Sequence, residues 1–198
     1  MSEPVMEAKR RPLAPFVVLG ITVVIAGLFW ILVVAKNGAD ADSADTPLMN
    51  KPAPVVKATA LDGTSFDLQR RKGSWVVLNF FNSTCVPCEQ EHAELVKFDN
   101  EQKALGADGV ELYTVASDND TADVKAFFAA NGGTWPVLVD SNGAIDVAFG
   151  VAKVPETWII DPNGYVRYRT IATGLTDNAL TIVVNDLKEV YNSGLPSS

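Results

Sequence analysis

The only two cysteines of this 198-residue chain stand together in the string Cys85-Val86-Pro87-Cys88. Two thiols at that spacing, on a turn that opens a helix, can close into a small ring, and the helix N-terminus favours the thiolate of the first. Pro87 suits the turn, because proline is pre-organised for the start of a helix and has no needed N–H to lose there. Reversible thiol–disulfide chemistry is the reading these residues favour. Two others stand beside it. A structural zinc site needs four ligands, and the lone histidine, His92, adds one to the two cysteines. A purely structural disulfide usually staples distant segments, and so short a loop constrains the unfolded chain little.

The elements that must position this pair read as alternating strands and helices. Residues 75–81 form an apolar run that predicts a buried central strand leading into the cysteines, and residues 87–105 predict the helix that follows them. An N-terminal hairpin is expected over 55–60 and 65–68, further strands at 110–116 and 136–139, and a helix at 120–130. Strands at 157–160 and 165–171 flank the turn Asp161-Pro-Asn-Gly164, and Thr176 caps a closing helix. Trp75, Trp135 and Trp158 are expected in the core. Arg167 and Arg169 alternate along their strand, which predicts a shared solvent face.

Residues 13–35 carry no charge and are long enough for a membrane helix, whereas the apolar core of a secretory signal is about 7 to 15 residues. Lys9, Arg10 and Arg11 precede this span, and Asp40, Asp42 and Asp45 follow it, so the short N-terminus at 1–12 is expected in the cytoplasm. A cleaved signal peptide, ending at the small residues around Ala39-Asp40-Ala41, is the alternative. Residues 36–53 read as an extracytoplasmic linker and 54–198 as one domain. Disulfides persist outside the cell membrane, so a CxxC there is either kept reduced by a dedicated supply or acts as an oxidant. With 16 basic and 24 acidic residues, net charge −8, the chain is ill suited to nucleic acid or to anionic headgroups beyond its anchor.

Several strings together resemble one family: Leu78-Asn79-Phe80, Cys88-Glu-Gln-Glu91-His92, Gly150-Val151 with Pro155-Glu156-Thr157, Ile160-Asp161, and Gly164-Tyr-Val-Arg167-Tyr-Arg169. They resemble the membrane-anchored thiol-disulfide oxidoreductases of the TlpA, ResA and CcmG (DsbE) group, over about residues 54–190. The resemblance implies a thioredoxin-like three-layer α/β sandwich with an N-terminal β-hairpin and a βαβ extension, here preceded by one transmembrane helix. The Cys-x-x-Glu-His and Pro-Glu-Thr strings look most like CcmG, the reductant of cytochrome c maturation.

Residue roles follow from that likeness. Cys85 is the expected attacking thiolate and Cys88 the resolving thiol, the two forming the redox-active disulfide. Glu91, one helical turn beyond Cys88, is expected to move protons, and Asn79 to tune the pair where cytoplasmic thioredoxins place an aspartate. Pro155 matches the family's cis-proline, with Val154 and Glu156 beside it at the partner groove. A helix angle that turns His92 away from Cys88 suggests a structural or exposed residue. Thr84, Glu89 and Lys153 depart from the family pattern; Glu89 tends to raise a nearby thiol pKa, whereas Lys153 favours the Cys85 thiolate.

The resemblance implies no metal or organic cofactor. It implies a protein disulfide substrate such as apocytochrome c, and a transmembrane thiol donor of the CcdA or DsbD kind. A disulfide-forming oxidant of exported proteins, a peroxidase using Cys85, and a non-catalytic binding module are the alternatives.

Overall fold

A computed structural model describes residues 21–22, 24–27, 46–118, 120–171 and 174–194. The chain divides into two compact units, Met1–Asp40 and Ala41–Ser198. In the first, residues 21–22 and 24–27 are helical, with Ile21, Val24 and Ile25 exposed. The remainder of the expected span at 13–35, and the N-terminus before it, lie outside the described residues. Among the described residues, no helix is long and apolar enough to cross a membrane.

The second unit opens with an antiparallel hairpin of β1 (Lys57–Thr59) and β2 (Ser65–Asp67). There follow β3 (Val76–Phe81), α1 (Val86–Ala104), β4 (Glu111–Ala116), α2 (Thr121–Asn131), β5 (Val137–Val139) and α3 (Ala144–Phe149). The chain closes with β6 (Glu156–Ile160), β7 (Val166–Thr170) and α4 (Asp177–Ser193). The main sheet has the order β5-β4-β3-β6-β7, with β3, β4 and β5 parallel and β6 and β7 antiparallel. Periodicity predicts each of these helices and strands except α3, which spans too few turns to display a repeat.

All six residues of β3 are buried, because both faces of this central strand are covered, and it therefore reads as a continuous apolar run. Leu78 and Phe80 pack with Phe66, Phe149 and Trp158 on the face covered by the hairpin and α3. Val77 meets Leu95 and Phe98 of α1 and Leu180 and Val184 of α4 on the other. Strand alternation thus aims Asn79 at α1. Trp75, Trp135 and Trp158 are all buried.

Local chemistry fixes the ends of these elements. Asp120 Oδ1 caps α2 by accepting from the Ala122 N–H at 2.8 Å, and Thr176 Oγ1 caps α4 by accepting from the Ala179 N–H at 3.2 Å. In the β6–β7 turn, Asp161 Oδ1 accepts from the N–H groups of Asn163 and Tyr165, and Gly164 takes a φ of 86°, a conformation that suits glycine.

Two expectations are corrected. Residues 46–53, read as linker, pack against the domain: Leu48 and Met49 contact the core, and Ala53 is buried within it. The second concerns Arg167 and Arg169, which do not share a solvent face. The register of β6 against β7 shifts between Ile159 and Ile160, so alternation breaks at Arg167. Arg167 Nε donates to Asp161 Oδ2 at 2.7 Å. Arg169 is buried, and its Nε donates to Glu156 Oε1 at 2.8 Å.

The Glu156–Arg169 pair is completed by the Trp158 indole N–H, which donates to Glu156 Oε1 at 2.7 Å, and by the Trp158 ring, 5.0 Å from the guanidinium carbon. Removing one partner of such a pair leaves an uncompensated buried charge. Arg169→Met should therefore destabilise the protein by about 3–5 kcal/mol in urea unfolding, and adding Glu156→Gln should restore much of the loss. Equal stability of the single and double variants would show that the pair carries no such coupling.

Candidate active site

The strand β3 ends at Phe81, and a tight turn over residues 82–84 delivers Cys85 to the head of α1. Asn82 builds this turn, its Oδ1 accepting from the Thr84 N–H at 3.0 Å and from the Thr84 hydroxyl at 2.6 Å. Asp118, buried beyond the end of β4, grips the turn from the side. Its carboxylate accepts from the Ser83 N–H at 3.0 Å and also from the Ser83 hydroxyl. Cys85 itself is the N-cap of α1, and its Sγ accepts from the Cys88 N–H at 3.2 Å. One otherwise unpaired amide of the helix start thus points at this sulfur, a setting that stabilises a thiolate.

Cys85 and Cys88 are joined in a disulfide with their Cα atoms 5.2 Å apart. Cys85 is half-buried while Cys88 is only 3% exposed, so an incoming sulfur can reach the first and not the second. The Val154–Pro155 peptide is cis, and the Val154 carbonyl oxygen lies 3.7 Å from Cys85 Sγ. A cleft of about 310 Å³ opens here, lined by Asn82, Thr84, Cys85, Ser117, Asp146 and Val154 among others. A larger groove, about 810 Å³, runs between the hairpin and β5 and does not reach the cysteines.

Behind the disulfide sits a buried polar cluster. Asn79 Nδ2 donates to Glu91 Oε1 at 3.0 Å and to Thr157 Oγ1 at 3.1 Å. Asn79 and Thr157 are register partners across β3 and β6, which brings their side chains together on the α1 side of the sheet. Glu91, Asn79 and Thr157 are each 2% exposed. Burial pushes the Glu91 pKa up to about 8, against a smaller opposing effect of the Asn79 hydrogen bond. Glu91 is therefore a neutral acid at pH 7, one helical turn from Cys88.

Other expected residues fall elsewhere. Glu156 follows Pro155 directly but does not line the cleft; its carboxylate is held inside by Arg169 and Trp158. Lys153 is exposed on the cleft rim, and Glu89 and Thr84 are exposed near the head of α1. His92 is structural and buried, with Nε2 donating to the Gly132 carbonyl at 2.8 Å and its ring among Phe127, Phe128 and Trp135. Burial lowers its pKa, so the imidazole stays neutral at pH 7. Sequence reasoning missed Asp118, Ser117 and Asp146, and quoted Thr157 only as part of a string. The polar pair Ser117-Asp118 directly after an apolar strand was the one local signal available.

Residues 48–187 match the model of the Redoxin family. The thiol:disulfide interchange protein HelX of Rhodobacter capsulatus is 30% identical, over 83% of this chain and 90% of its own length. The thiol:disulfide interchange protein DsbE of Yersinia pestis is 30% identical, over 84% of this chain and 91% of its own. In fold, the thioredoxin domain of a thiol-disulfide oxidoreductase from Bacteroides vulgatus superposes with a TM-score of 0.62, at 21% identity, over 72% of this chain and 99% of that domain. An N-capping cysteine with a shielded partner, the cis-proline beside it and these likenesses agree: the chain belongs to the Redoxin family, as one of its thioredoxin-like thiol-disulfide oxidoreductases.

Proposed function

We propose that this oxidoreductase works outside the cytoplasm, tethered by residues 13–35, and reduces protein disulfides, most specifically in apocytochrome c before haem attachment. The observation that carries the exchange reading is the buried Glu91–Asn79 pair one helical turn beyond Cys88, and the sequence likeness to reductants supports its direction. The strings Cys88-Glu-Gln-Glu91-His92 and Pro155-Glu156-Thr157, through which the sequence resembles the cytochrome c maturation reductants, support the choice of substrate. A transmembrane thiol carrier of the CcdA or DsbD kind would supply the electrons.

The geometry supports a two-step exchange. The Cys85 thiolate, held by the amides at the head of α1, attacks one sulfur of the substrate disulfide. A mixed disulfide forms, and the other substrate sulfur leaves as a thiolate. Val154 presents its backbone to the docked chain, and exposed Val86 offers it an apolar contact beside Cys85. Cys88 then loses its proton, attacks Cys85 Sγ, and releases the second substrate thiolate as the internal disulfide closes.

Glu91 handles the Cys88 proton. Its pKa of about 8 lies close to that of an ordinary thiol, about 8.5, so transfer between the two groups is nearly balanced. When the donor opens the disulfide, Cys88 takes the proton that Glu91 holds. When Cys88 resolves a mixed disulfide, the Glu91 carboxylate takes it back.

Equilibrating the purified chain in glutathione or dithiothreitol buffers tests the direction of exchange. A reductant should show a potential near that of thioredoxin, about −270 mV, whereas a value near −120 mV, like that of DsbA, would make it an oxidant. Replacing Cys88 with alanine should trap a covalent adduct through Cys85 with a protein disulfide. A module that only binds would give none.

Glu91→Gln should slow the Cys88 step on the order of 10²-fold at pH 7 and leave its pH dependence in stopped-flow traces set by ionisation of the Cys88 thiol alone. Stability gives a second readout. Because the folded pKa exceeds the unfolded one, near 4.5, wild-type stability falls as pH rises between those values, by up to about 1.4 kcal/mol per pH unit. Glu91→Gln should lack that slope.

A further inference from the structure

The groove of about 810 Å³ between the hairpin and β5 takes no part in the exchange steps, because it does not reach the cysteines. Its floor is apolar, with Phe66, Tyr113, Leu138 and Ile145 all buried. One wall is β1, and the alternation of the hairpin ladder decides where its backbone points. The Ala60 N–H donates to the Thr64 carbonyl and the Leu68 N–H to the Val56 carbonyl, so Lys57 stands at a non-hydrogen-bonded position opposite Asp67. Its N–H and C=O therefore turn away from β2, along the edge from which the Leu61 N–H reaches the Val137 carbonyl of β5. Among the described residues, β1 and β5 are joined by an isolated bridge at Ala60 and Leu138. Lys57 lies beyond that bridge, where the groove opens beside it.

The charges along this groove differ in how far they are already satisfied. Three cations line it: Lys57 and Arg70 are exposed and Arg71 is half-buried, so a docked chain can reach all three. Two carboxylates line it as well. Asp140 is buried, its Oδ2 accepting from the N–H groups of Ile145 and Asp146. Asp67 accepts from the Gln69 N–H at 3.0 Å and lies 3.8 Å from Lys57 Nζ. Arg71 is held 3.6 Å from Glu111, whose carboxylate is fixed by a 2.7 Å hydrogen bond from the Tyr113 hydroxyl. None of the ion pairs among the described residues includes Arg70. The chain carries a net charge of −8, but the screening length at physiological salt is about 8 Å, so the local cations decide what lands here.

We propose that this groove is a docking site for an extended, acidic segment of a partner protein, which pairs with the outer edge of β1 at Lys57. An extended chain sends successive side chains to opposite sides. Apolar residues of the segment would rest on the floor of Phe66 and Leu138, and the acidic residues between them would meet Arg70 and Lys57. Main-chain hydrogen bonds to a free strand edge supply affinity in such a mode, and the side chains supply selectivity. The partner is thereby held away from the disulfide, and the cleft at Cys85 stays open. The inference does not depend on the direction of exchange.

A fluorescein-labelled eight-residue peptide that alternates valine with aspartate and lacks cysteine provides the test, titrated with the full-length protein and followed by anisotropy. It should bind saturably, and more weakly as salt is raised. The same peptide with lysine for aspartate should bind more weakly by about tenfold or more. Methylating alternate backbone nitrogens, so that the peptide loses the donors that face β1, should abolish binding. Arg70→Glu and Lys57→Glu should each weaken the aspartate peptide by about tenfold. Both residues are exposed, so both variants should keep the wild-type midpoint in urea. Absence of saturable binding at low salt, equal binding of the aspartate and lysine peptides, or binding that survives either charge reversal overturns the docking site. Undiminished binding of the methylated peptide overturns the pairing with β1. A dimer in sedimentation that the aspartate peptide dissociates assigns the groove to a second copy of this chain and overturns the partner reading. Because the peptide has no sulfur to exchange, each of these outcomes stands whether or not the exchange reading does.

Discussion

The hydrogen bond from Asn79 to Glu91 ties the central strand to the first helix through a carboxyl that water scarcely reaches. Burial of a charged carboxylate is costly, so the group stays protonated until pH approaches 8. The Asn79 amide satisfies one oxygen of that carboxyl without bringing a counter-charge. Thr157, opposite Asn79 across the sheet, accepts from the same amide and orients it. The chemical asymmetry of the two cysteines follows. Cys85 lies half-buried at the edge of an apolar cluster, open to the cleft and to the Cys88 amide, whereas Cys88 is buried within that cluster with Phe81, Ala116, Val124 and Val137.

A second pair of contacts holds the two walls of the cleft. Ser117 and Asp118 are adjacent at the end of β4 and reach in different directions, Ser117 to Asp146 of α3 and Asp118 to Ser83 before Cys85. One strand end thereby sets the separation of the wall that carries the attacking sulfur from the wall that begins at α3. The cis-proline segment continues from α3, so the Val154 carbonyl takes its place near Cys85 on the same scaffold.

The strand, turn and helix that carry the cysteines were legible because their signals are local: an apolar run, a CxxC with an internal proline, and a helical period. Asn79 and Glu91 could be named as residues, but their partnership could not, since it joins two elements through side chains. Asp118 and Thr157 were illegible for the same reason. Their contacts span sequence separations of 35 and 78, which no local pattern encodes. Arg169 was misread because strand alternation presumes an unbroken register, and the shift at Ile159 breaks it. Glu156 illustrates a different limit: an acidic residue suggests a surface or a groove, and only the guanidinium reaching it from the neighbouring strand makes its burial tolerable.

The packing of residues 46–53 and of the hairpin also bears on how copies of this protein meet each other. The outer strands of an open sheet offer unpaired amides and carbonyls to any neighbouring chain. Here Val166 of β7 exchanges hydrogen bonds with Asn50 and Lys51, and the Gly164 carbonyl accepts from Ala53. On the opposite border, Ala60 bridges to Leu138 and the Leu61 N–H donates to the Val137 carbonyl. Both borders of the sheet are thus partly occupied by the protein's own backbone. Strand addition, the usual route to edge-to-edge aggregation, is obstructed at those positions on either side.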